Sequence, residues 1–250
     1  MSGTINKMKN FYIGTSGYNY KHWKEVFYPR GLSYSKWLNY YSQHFSTVEI
    51  NATFYGNFRR TVFEKWKEET GDDFIFTLKG PRLITHTKKL NDIDESLGIF
   101  LGNTEGLGKK LNMILWQFSP SFKCETETLG RLKEFRNKLP KNIRQAFEFR
   151  HKSWYETNMK EELQKNKINI VIAQSRRFPE EKNINGDFYY IRFHGPQRLY
   201  SSSYSLKELF EWANFVKNET DNKDVYCYFN NDVRGFAVRN AKELGKLVVS

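Results

Sequence analysis

The sequence predicts an α/β protein, a single domain folded as a (β/α)₈ barrel of the TIM type over residues 1–250. Its length of 250 residues matches the roughly 250 that one such barrel takes. Nearly continuous apolar runs such as "NMILW" and "NIVIA" are typical of parallel strands that are buried on both faces. Segments of helical periodicity separate these runs, as a βα repeat requires. An open doubly wound sheet is the main competing fold.

Eight runs of apolar, β-branched or aromatic residues are expected to form the strands. They cover residues 11–14, 47–51, 74–79, 112–117, 145–150, 169–173, 189–194 and 225–230. Two capping boxes, Thr61 with Glu64 and Ser205 with Glu208, predict helix starts. The segment 174–186 is polar and contains one proline. The crossover after the sixth strand is therefore expected to lack a regular helix.

Cysteine usage and the N-terminus indicate a soluble, cytoplasmic protein. Cys124 and Cys227 lie far apart and show neither metal-ligand spacing nor a disulfide framework. The first ten residues are polar and do not resemble a secretory signal. No run approaches the roughly 20 apolar residues that a membrane span needs. The sequence leaves the oligomeric state open.

Positive charge is concentrated in the segments that follow the predicted strands. The net charge of the chain is +12. These segments are 14–33, 51–60, 79–90, 117–124, 150–154, 174–182, 194–204 and 230–234, and they contain 17 Lys and Arg against 4 Asp and Glu. The rest of the chain contains 23 against 24. Such one-sidedness predicts an anionic partner, either a small molecule or a nucleic acid, at the carboxyl ends of the strands.

Polar residues occur in pairs, two positions apart, where several predicted strands end. The pairs are Glu49 with Asn51, Thr77 with Lys79, Glu148 with Arg150, and Arg192 with His194. Residues two apart on a strand point to the same side, so these side chains are expected to face the barrel axis. Buried charges are costly unless they are paired or used. Their recurrence at one end of the strands therefore predicts a functional site there.

Roles follow from the chemistry of each residue type. Glu49 and Glu148 are candidate acid–base or water-positioning groups, and His194 is a candidate proton carrier. Candidate substrate-binding residues are Asn51, Lys79, His86, Gln117, Arg150, Trp154, Arg192, Asn230 and Asn231. For Trp154, stacking on a ligand and covering the core are equally compatible with the sequence.

The chain resembles the YecE-like family, known as domain of unknown function 72. The motifs that carry this resemblance are "GTSGYNYKHWKEVFYP" (14–29), "TVEINATFY" (47–55), "FTLKGPRLITH" (76–86), "FEFRHKSW" (147–154), "YIRFHG" (190–195) and "YFNND…GFAVRNAKEL" (228–244). The resemblance implies a (β/α)₈ barrel and supplies no activity. It points to Glu49, Asn51, Lys79, His86, Glu148, Arg150, His194, Asn230 and Asn231. The chain departs from the family at Ser119-Pro120, where two prolines are common.

The leading functional hypothesis is an enzyme, hydrolase or phosphoesterase-like, that acts on an anionic, phosphate-containing substrate. No cofactor is predicted. A divalent metal held by Glu49, Glu148 and His194 is a competing hypothesis that the nearby Lys and Arg residues would oppose. The sequence is also compatible with a nucleic-acid or nucleotide-binding module without turnover, with a glycosidase, and with a purely structural ion-pair network.

Overall fold

The computed structural model describes residues 10–182, 186–218, 220 and 222–249. Within these residues the strands form two parallel sheets of four and five strands. The four-stranded sheet has the order β1 (Phe11–Thr15), β9 (Asp224–Phe229), β8 (Phe188–Phe193), β7 (Ile172–Gln174). The five-stranded sheet has the order β2 (Thr47–Ile50), β3 (Ile75–Lys79), β4 (Leu111–Gln117), β5 (Arg144–Glu148), β6 (Asn169–Ile170).

The closed (β/α)₈ barrel expected from the sequence is therefore wrong, although the α/β class and the positions of the strands are right. Within the described residues, strand pairing runs in two separate ladders and does not close into one. The two ladders fail to join at two seams, and each seam has a local cause.

At the first seam, between β1 and β2, a side chain takes the place of backbone pairing. The hydroxyl of Tyr41 accepts the backbone N–H of Thr15 at 2.9 Å and donates to the carbonyl of Thr47 at 3.1 Å. It thus satisfies groups that a strand ladder would otherwise pair. In the described part of the chain, strand-type pairing here is limited to an isolated parallel bridge between Ser16 and Glu49.

At the second seam, one extended run divides between the two sheets. Residues 169 and 170 pair with β5, and the N–H of Val171 donates to the carbonyl of Phe147 at 2.9 Å. The next three residues, Ile172–Gln174, pair with β8 instead. The sixth predicted strand therefore exists, but its two halves belong to different sheets.

Helices follow most strands. They are α1 (Trp37–Ser42), α2 (Ala52–Tyr55), α3 (Arg60–Glu68), α4 (Asp94–Thr104), α5 (Thr126–Lys138), α6 (Thr157–Lys165), α7 (Leu206–Asn218) and α8 (Phe236–Val249). A π-helical turn, Leu83–Thr87, follows β3. Short 3₁₀ turns span Lys21–Trp23, Tyr34–Lys36, Glu105–Lys110, Lys152–Tyr155 and Val233–Gly235.

The expected helix starts are partly right. Ser205 and Glu208 form the reciprocal hydrogen bonds of a capping box before α7. Thr61 lies inside α3, which begins one residue earlier, so the box predicted with Glu64 is wrong. In the crossover after β7, residues 175–182 and 186–187 contain no helix, and residues 183–185 lie outside the described part.

Apolar side chains pack in two places. An inner cluster takes residues from both sheets, namely Met113, Leu115, Ala146, Val171, Phe188, Tyr190, Tyr226 and Tyr228. A larger outer cluster fills the space between strands and helices, and it includes buried rings such as Trp116, Phe147 and Phe193. The inner cluster contains residues two apart on single strands, which shows that one face of each sheet points inward.

The amino ends of the strands, here called the amino edge, are closed by an ion pair. Arg144 on β5 donates to Asp224 on β9 at 2.8 Å and to the hydroxyl of Tyr226 at 2.7 Å. The other oxygen of Asp224 accepts the backbone and side-chain N–H groups of Asn10. Every oxygen of this carboxylate is thus bound, which is the usual state of a structural ion pair.

None of the helices within the described residues is both long enough and apolar enough to cross a bilayer.

Candidate functional site

The predicted polar residues lie at the carboxyl ends of the strands, here called the carboxyl edge. Because the bridge between Ser16 and Glu49 is parallel, the carboxyl ends of both sheets lie on the same side of the molecule. Glu49, Glu148 and Arg192 lie near the ends of β2, β5 and β8, and each is at most 1% exposed. The period-two pattern therefore identified buried charges that meet in space.

The guanidinium of Arg192 joins the two predicted carboxylates. Its Nε and one terminal nitrogen donate to the two oxygens of Glu49, at 2.9 and 2.7 Å. Its other terminal nitrogen donates to Glu148 at 2.5 Å. Arg192 comes from the four-stranded sheet, whereas both carboxylates come from the five-stranded sheet. Since every guanidinium nitrogen is engaged, Arg192 is poorly placed to bind a substrate as well.

Glu148 is held ionised by its neighbours. Its Oε1 accepts hydrogen bonds from Arg150 at 2.9 Å and from Gln117 at 2.8 Å. Burial by itself would raise the pKa of Glu148, but the charges of Arg192 and Arg150 outweigh burial and hold it well below its usual value. A carboxylate in this state is a weak base, so the structure does not favour the predicted acid–base role.

Lys79, at the end of β3, has no counter-ion among the described residues. It is 6% exposed, and its amine lies over the ring of Phe54, 3.9 Å from the ring centre. The amine makes no hydrogen bond or ion pair with any residue that the structure describes. Burial and the charge of Arg192 lower the pKa of Lys79 to about 7, although Glu148 and Glu49 act in the opposite sense.

His194 is fully buried beside this cluster and stays neutral. Burial and the charge of Arg192 lower the pKa of its ring well below the usual value. Nδ1 lies 3.3 Å from the amide nitrogen of Asn230, which can only donate, so Nδ1 is the acceptor and Nε2 carries the proton. Nε2 lies 3.9 Å from Glu148, too far for a hydrogen bond, and is unsatisfied among the described residues.

Three further polar atoms at the carboxyl edge are buried without a partner in the described part of the chain. They are Oδ1 of Asn51, Oγ of Ser16 and Oδ1 of Asn231. Asn51 and Ser16 are neighbours, because the amide of Asn51 donates to the carbonyl of Ser16 at 3.4 Å. Buried polar atoms without partners are rare in native proteins, and here they accompany the unsatisfied Nε2–H of His194.

His86 and Gln117 are associated with the cluster through single contacts. Gln117 donates to Glu148, as described above. The ring of His86 packs edge-on against Phe54, with 5.0 Å between ring centres. Half-burial and the charge of Lys79 lower the pKa of His86 to about 4, so this ring is neutral at physiological pH.

Trp154 and Asn231 have structural surroundings. Trp154 is fully buried, stacks between Phe122 and Phe149, and donates its indole N–H to the carbonyl of Phe122. Asn231 is also fully buried, and its amide donates to Ser202 and Asn240 in the neighbouring loop and helix. The structure does not bring these two side chains into the charged cluster.

Three aromatic residues outside the predicted site residues shape the cluster, and of these only Phe54 has a predicted role, as a loop ring that could stack on a nucleic acid. Tyr190 donates its hydroxyl to Glu49 at 2.5 Å, Phe54 lies under the amine of Lys79, and Phe178 lies 3.9 Å from the guanidinium carbon of Arg150. Tyr190 precedes Arg192 by two residues, so the same period-two rule could have found it. Phe54 and Phe178 lie outside the strands and carry no such signal.

Among the cavities of the described residues, two lie at this edge, and neither is lined by a charged residue of the cluster. One, of about 490 Å³, is lined by the segments after β2 and β3 and by α4, and it includes Phe54 and Tyr55. The other, of about 460 Å³, is lined by the segments after β1 and β2 and includes Asn51 and Tyr55. Both volumes fall within the range of small-molecule sites.

The metal hypothesis finds no support in the described residues. The Arg192 guanidinium binds Glu49 on one side and Glu148 on the other. No three His, Cys, Asp or Glu side chains in this part of the chain lie close enough to hold an ion.

Comparisons with known proteins agree on one family. Residues 12–250 match the profile of the family described as "Protein of unknown function DUF72". The UPF0759 protein YunF of Bacillus subtilis is 28% identical, and the match covers 95% of this chain and 94% of that protein. The UPF0759 protein YecE of Escherichia coli is also 28% identical, over 66% of this chain and 59% of its own length.

Solved structures give the same result. The crystal structure of a DUF72 family protein from Thermotoga maritima is 31% identical, with a TM-score of 0.87, and the match covers 96% of this chain and all of that one. A DUF72 family protein from Enterococcus faecalis is 22% identical with a TM-score of 0.82, covers 96% of each chain, and shows the fold alone. The resemblance seen in the motifs is thus confirmed, and the chain belongs to the DUF72 family of proteins of unknown function.

Proposed function

We propose that this protein is an enzyme that binds an anionic, phosphate-bearing substrate at the carboxyl edge, against Arg150 and His194. The observation that supports this best is the state of Arg150. Its Nε is fixed by Glu148, whereas its two terminal nitrogens make no hydrogen bond with any described residue. Paired terminal N–H groups of this kind match two oxygens of a phosphate.

His194 supplies a second donor. Its buried Nε2–H has no acceptor among the described residues, and a phosphate oxygen would satisfy it. Since the ring is neutral, the proposed role is hydrogen-bond donation and not the proton transfer expected from the sequence. Glu49 and Glu148 then serve to fix Arg192 and Arg150 in place.

The chemistry of Glu148 and His194 limits which reactions the site could catalyse. Hydrolysis of a phosphoester needs a base or a metal to activate water. Glu148 is held ionised by two arginines and His194 is buried and neutral, so neither is suited to that task. Binding of the anion is therefore better supported than hydrolysis of it.

The test is calorimetric titration of the protein with inorganic phosphate and pyrophosphate at low salt. Arg150→Gln should weaken binding by roughly 10- to 100-fold, the equivalent of about 1.5–3 kcal/mol for a charged hydrogen bond. Arg150→Lys keeps the charge and loses the paired donors. Its affinity for the two anions should lie between that of the wild type and that of Arg150→Gln. Arg239→Gln, on the exposed face of α8, is the matched control and should bind as the wild type does.

Two results would contradict the proposal. One is that neither phosphate nor pyrophosphate binds at low salt. The other is that Arg150→Gln and Arg239→Gln weaken binding equally, which would indicate general attraction to a basic protein. Urea unfolding of each variant checks that the fold persists.

A nucleic acid is the second candidate ligand, and one observation favours it. Tyr55 is 79% exposed and borders both cavities, where a base could stack on it. For a bound oligonucleotide, log affinity should fall linearly with log salt. Charge reversal at Arg59, Arg60, Lys88 and Lys89 should then weaken binding more than Arg150→Gln does.

A further inference from the structure

We infer that the amine of Lys79 is a nucleophile that forms a covalent imine with a carbonyl group of the substrate. The inference rests on the proposed function for the anionic group of that substrate, and it places the chemistry on a carbonyl carbon instead of on phosphorus. It also gives a use to the one buried cation of the cluster that has no carboxylate partner in the described structure.

The surroundings of the Lys79 amine suit a nucleophile better than an ion-pair partner. Arg192 and Arg150 occupy the oxygens of Glu49 and Glu148, so no carboxylate is left for Lys79. The face of Phe54 covers one side of the amine. An amine that is desolvated and close to other cations is the arrangement by which lysine becomes nucleophilic near neutral pH.

The larger cavity lies next to Lys79, although Lys79 does not line it. Two of its lining residues contact Lys79: the ring of Phe54 covers the amine, and Thr53 donates its hydroxyl to the backbone carbonyl of Lys79 at 2.7 Å. Lys79 is 6% exposed, which removes it from bulk water.

The step balances without a further reactant. The nitrogen lone pair of neutral Lys79 attacks the carbonyl carbon, and a C–N bond forms as the carbonyl π bond breaks. The two amine protons pass to the oxygen, which leaves as water, and the C=N bond remains. The pKa of about 7 means that roughly half of the amine is neutral at pH 7, against less than about one part in 10³ for an ordinary lysine.

Lys110 is a matched control within the same chain. It is 8% exposed, similar to Lys79, but its amine donates to the carbonyls of Lys67 and Thr70 and to the hydroxyl of Thr70, at 2.7–3.1 Å. All three protons of the ammonium are engaged. Both lysines are therefore buried. Of the two, only Lys79 has an amine without a hydrogen-bond partner among the described residues.

The experiment uses the intact wild-type protein at pH 7 with glycolaldehyde phosphate and cyanoborohydride, which reduces an imine to a stable secondary amine. Proteolysis and mass spectrometry then measure the adduct at each lysine. Lys79 should carry at least about tenfold more adduct than Lys110, whose amine is engaged in three hydrogen bonds, and than exposed lysines, whose amines are almost entirely protonated. Lys79→Arg should abolish this excess, and Lys110→Met should leave it unchanged.

Labelling that shows no preference for Lys79 would overturn the inference, even if phosphate binds in an Arg150-dependent way and the proposed function stands. The reverse result is also distinguishable. If Lys79 reacts equally with glycolaldehyde and its phosphate, and inorganic phosphate does not compete, the imine chemistry holds and the anion site is wrong. Because the main readout is on the wild-type protein, it does not depend on the folding of any variant.

Discussion

The amino and carboxyl edges each contain an arginine that binds a carboxylate of the opposite sheet, and they differ in how completely their charges are matched. At the amino edge, Arg144 and Asp224 are one to one, and each oxygen of Asp224 has a donor. At the carboxyl edge, the two carboxylates Glu49 and Glu148 bind two arginines, and Lys79 is left over. Buried atoms of His194, Asn51, Asn231 and Ser16 that lack partners in the described structure also lie there.

The difference separates a structural cluster from a functional one. In a network that only stabilises the fold, we expect every charged and polar group to be paired, because each unsatisfied buried group costs free energy. The excess cation and the unsatisfied polar atoms at the carboxyl edge lower stability unless a ligand pairs with them. Comparisons between matched residues of the two edges, and between two buried lysines, test this distinction.

The largest effect is expected from removing the arginines. Arg192→Met would leave Glu49 and Glu148 buried without their shared partner and should lower the free energy of unfolding by about 3–5 kcal/mol. Arg144→Met should cost clearly less, because the Arg144 side chain is 35% exposed and solvent screens its pair with Asp224. Urea denaturation at pH 7 measures both. Equal losses would remove the distinction between the edges.

Replacing each of the two buried lysines by methionine should change the free energy of unfolding in opposite directions. Lys79→Met removes a cation that has no carboxylate partner in the described structure and should stabilise the protein near pH 6 by about 1–4 kcal/mol, the range found when buried ion pairs are replaced by apolar side chains of similar volume. Lys110→Met removes three hydrogen bonds and should destabilise it by about 1–3 kcal/mol. Urea denaturation of both variants decides the signs. A destabilising Lys79→Met would show that the amine has a stabilising role.

The Lys79 effect should also depend on pH. Below about pH 7 the folded protein holds Lys79 charged at a cost, and the unfolded chain keeps it charged up to about its ordinary pKa of 10.5. Between these values the unfolded state binds more protons, so this lysine makes the free energy of unfolding rise with pH. Lys79→Met should therefore reduce the slope between pH 7 and 9, measured by urea denaturation. An unchanged slope would contradict the lowered pKa.

Two hydroxyls, one at each edge, give a further comparison, and the one at the amino edge is expected to have the smallest effect. Tyr190→Phe removes a fully buried donor to Glu49 and should cost about 1.5–3 kcal/mol, the range for hydrogen bonds to charged groups. Tyr226→Phe removes the acceptor of a partly exposed Arg144 nitrogen and should cost no more than about 1.5 kcal/mol. A larger loss for Tyr226→Phe would reverse the proposed ranking of the edges, and thermal melting is sufficient to detect it.

Local patterns predicted the strands well because each strand is a short apolar run bounded by polar residues. All eight runs contain strands, shifted by one or two residues at some ends. Closure into a barrel was wrong because it depends on pairing between distant segments. The hydroxyl of Tyr41, a helix residue, lies where β1 and β2 would pair, and nothing in the helical pattern around Tyr41 marks that contact.

The sequence likewise predicted one part of the candidate site and not the other. Strand periodicity correctly predicted that Glu49, Glu148 and Arg192 lie together, because residue alternation decides which side of a strand a side chain faces. It could not predict that Arg192 takes up both carboxylates, nor that Lys79 is left over. Those outcomes depend on side-chain reach across the space between two sheets, which no local pattern records.

Because the two sheets are separated at the seams, side chains at both edges help to hold the sheets together. Within the described residues no strand ladder joins the two sheets, and strand-type pairing between them is limited to the bridge of Ser16 with Glu49. Arg192 with Glu49 and Glu148, Arg144 with Asp224, and the inner apolar cluster all span the gap. Coupling between the two sheets is therefore carried by side chains more than by strand ladders. We expect a ligand that draws charge away from the carboxyl edge to loosen one of these links, and the amides of Thr15 and Val171 at the seams to be the first to exchange faster with solvent.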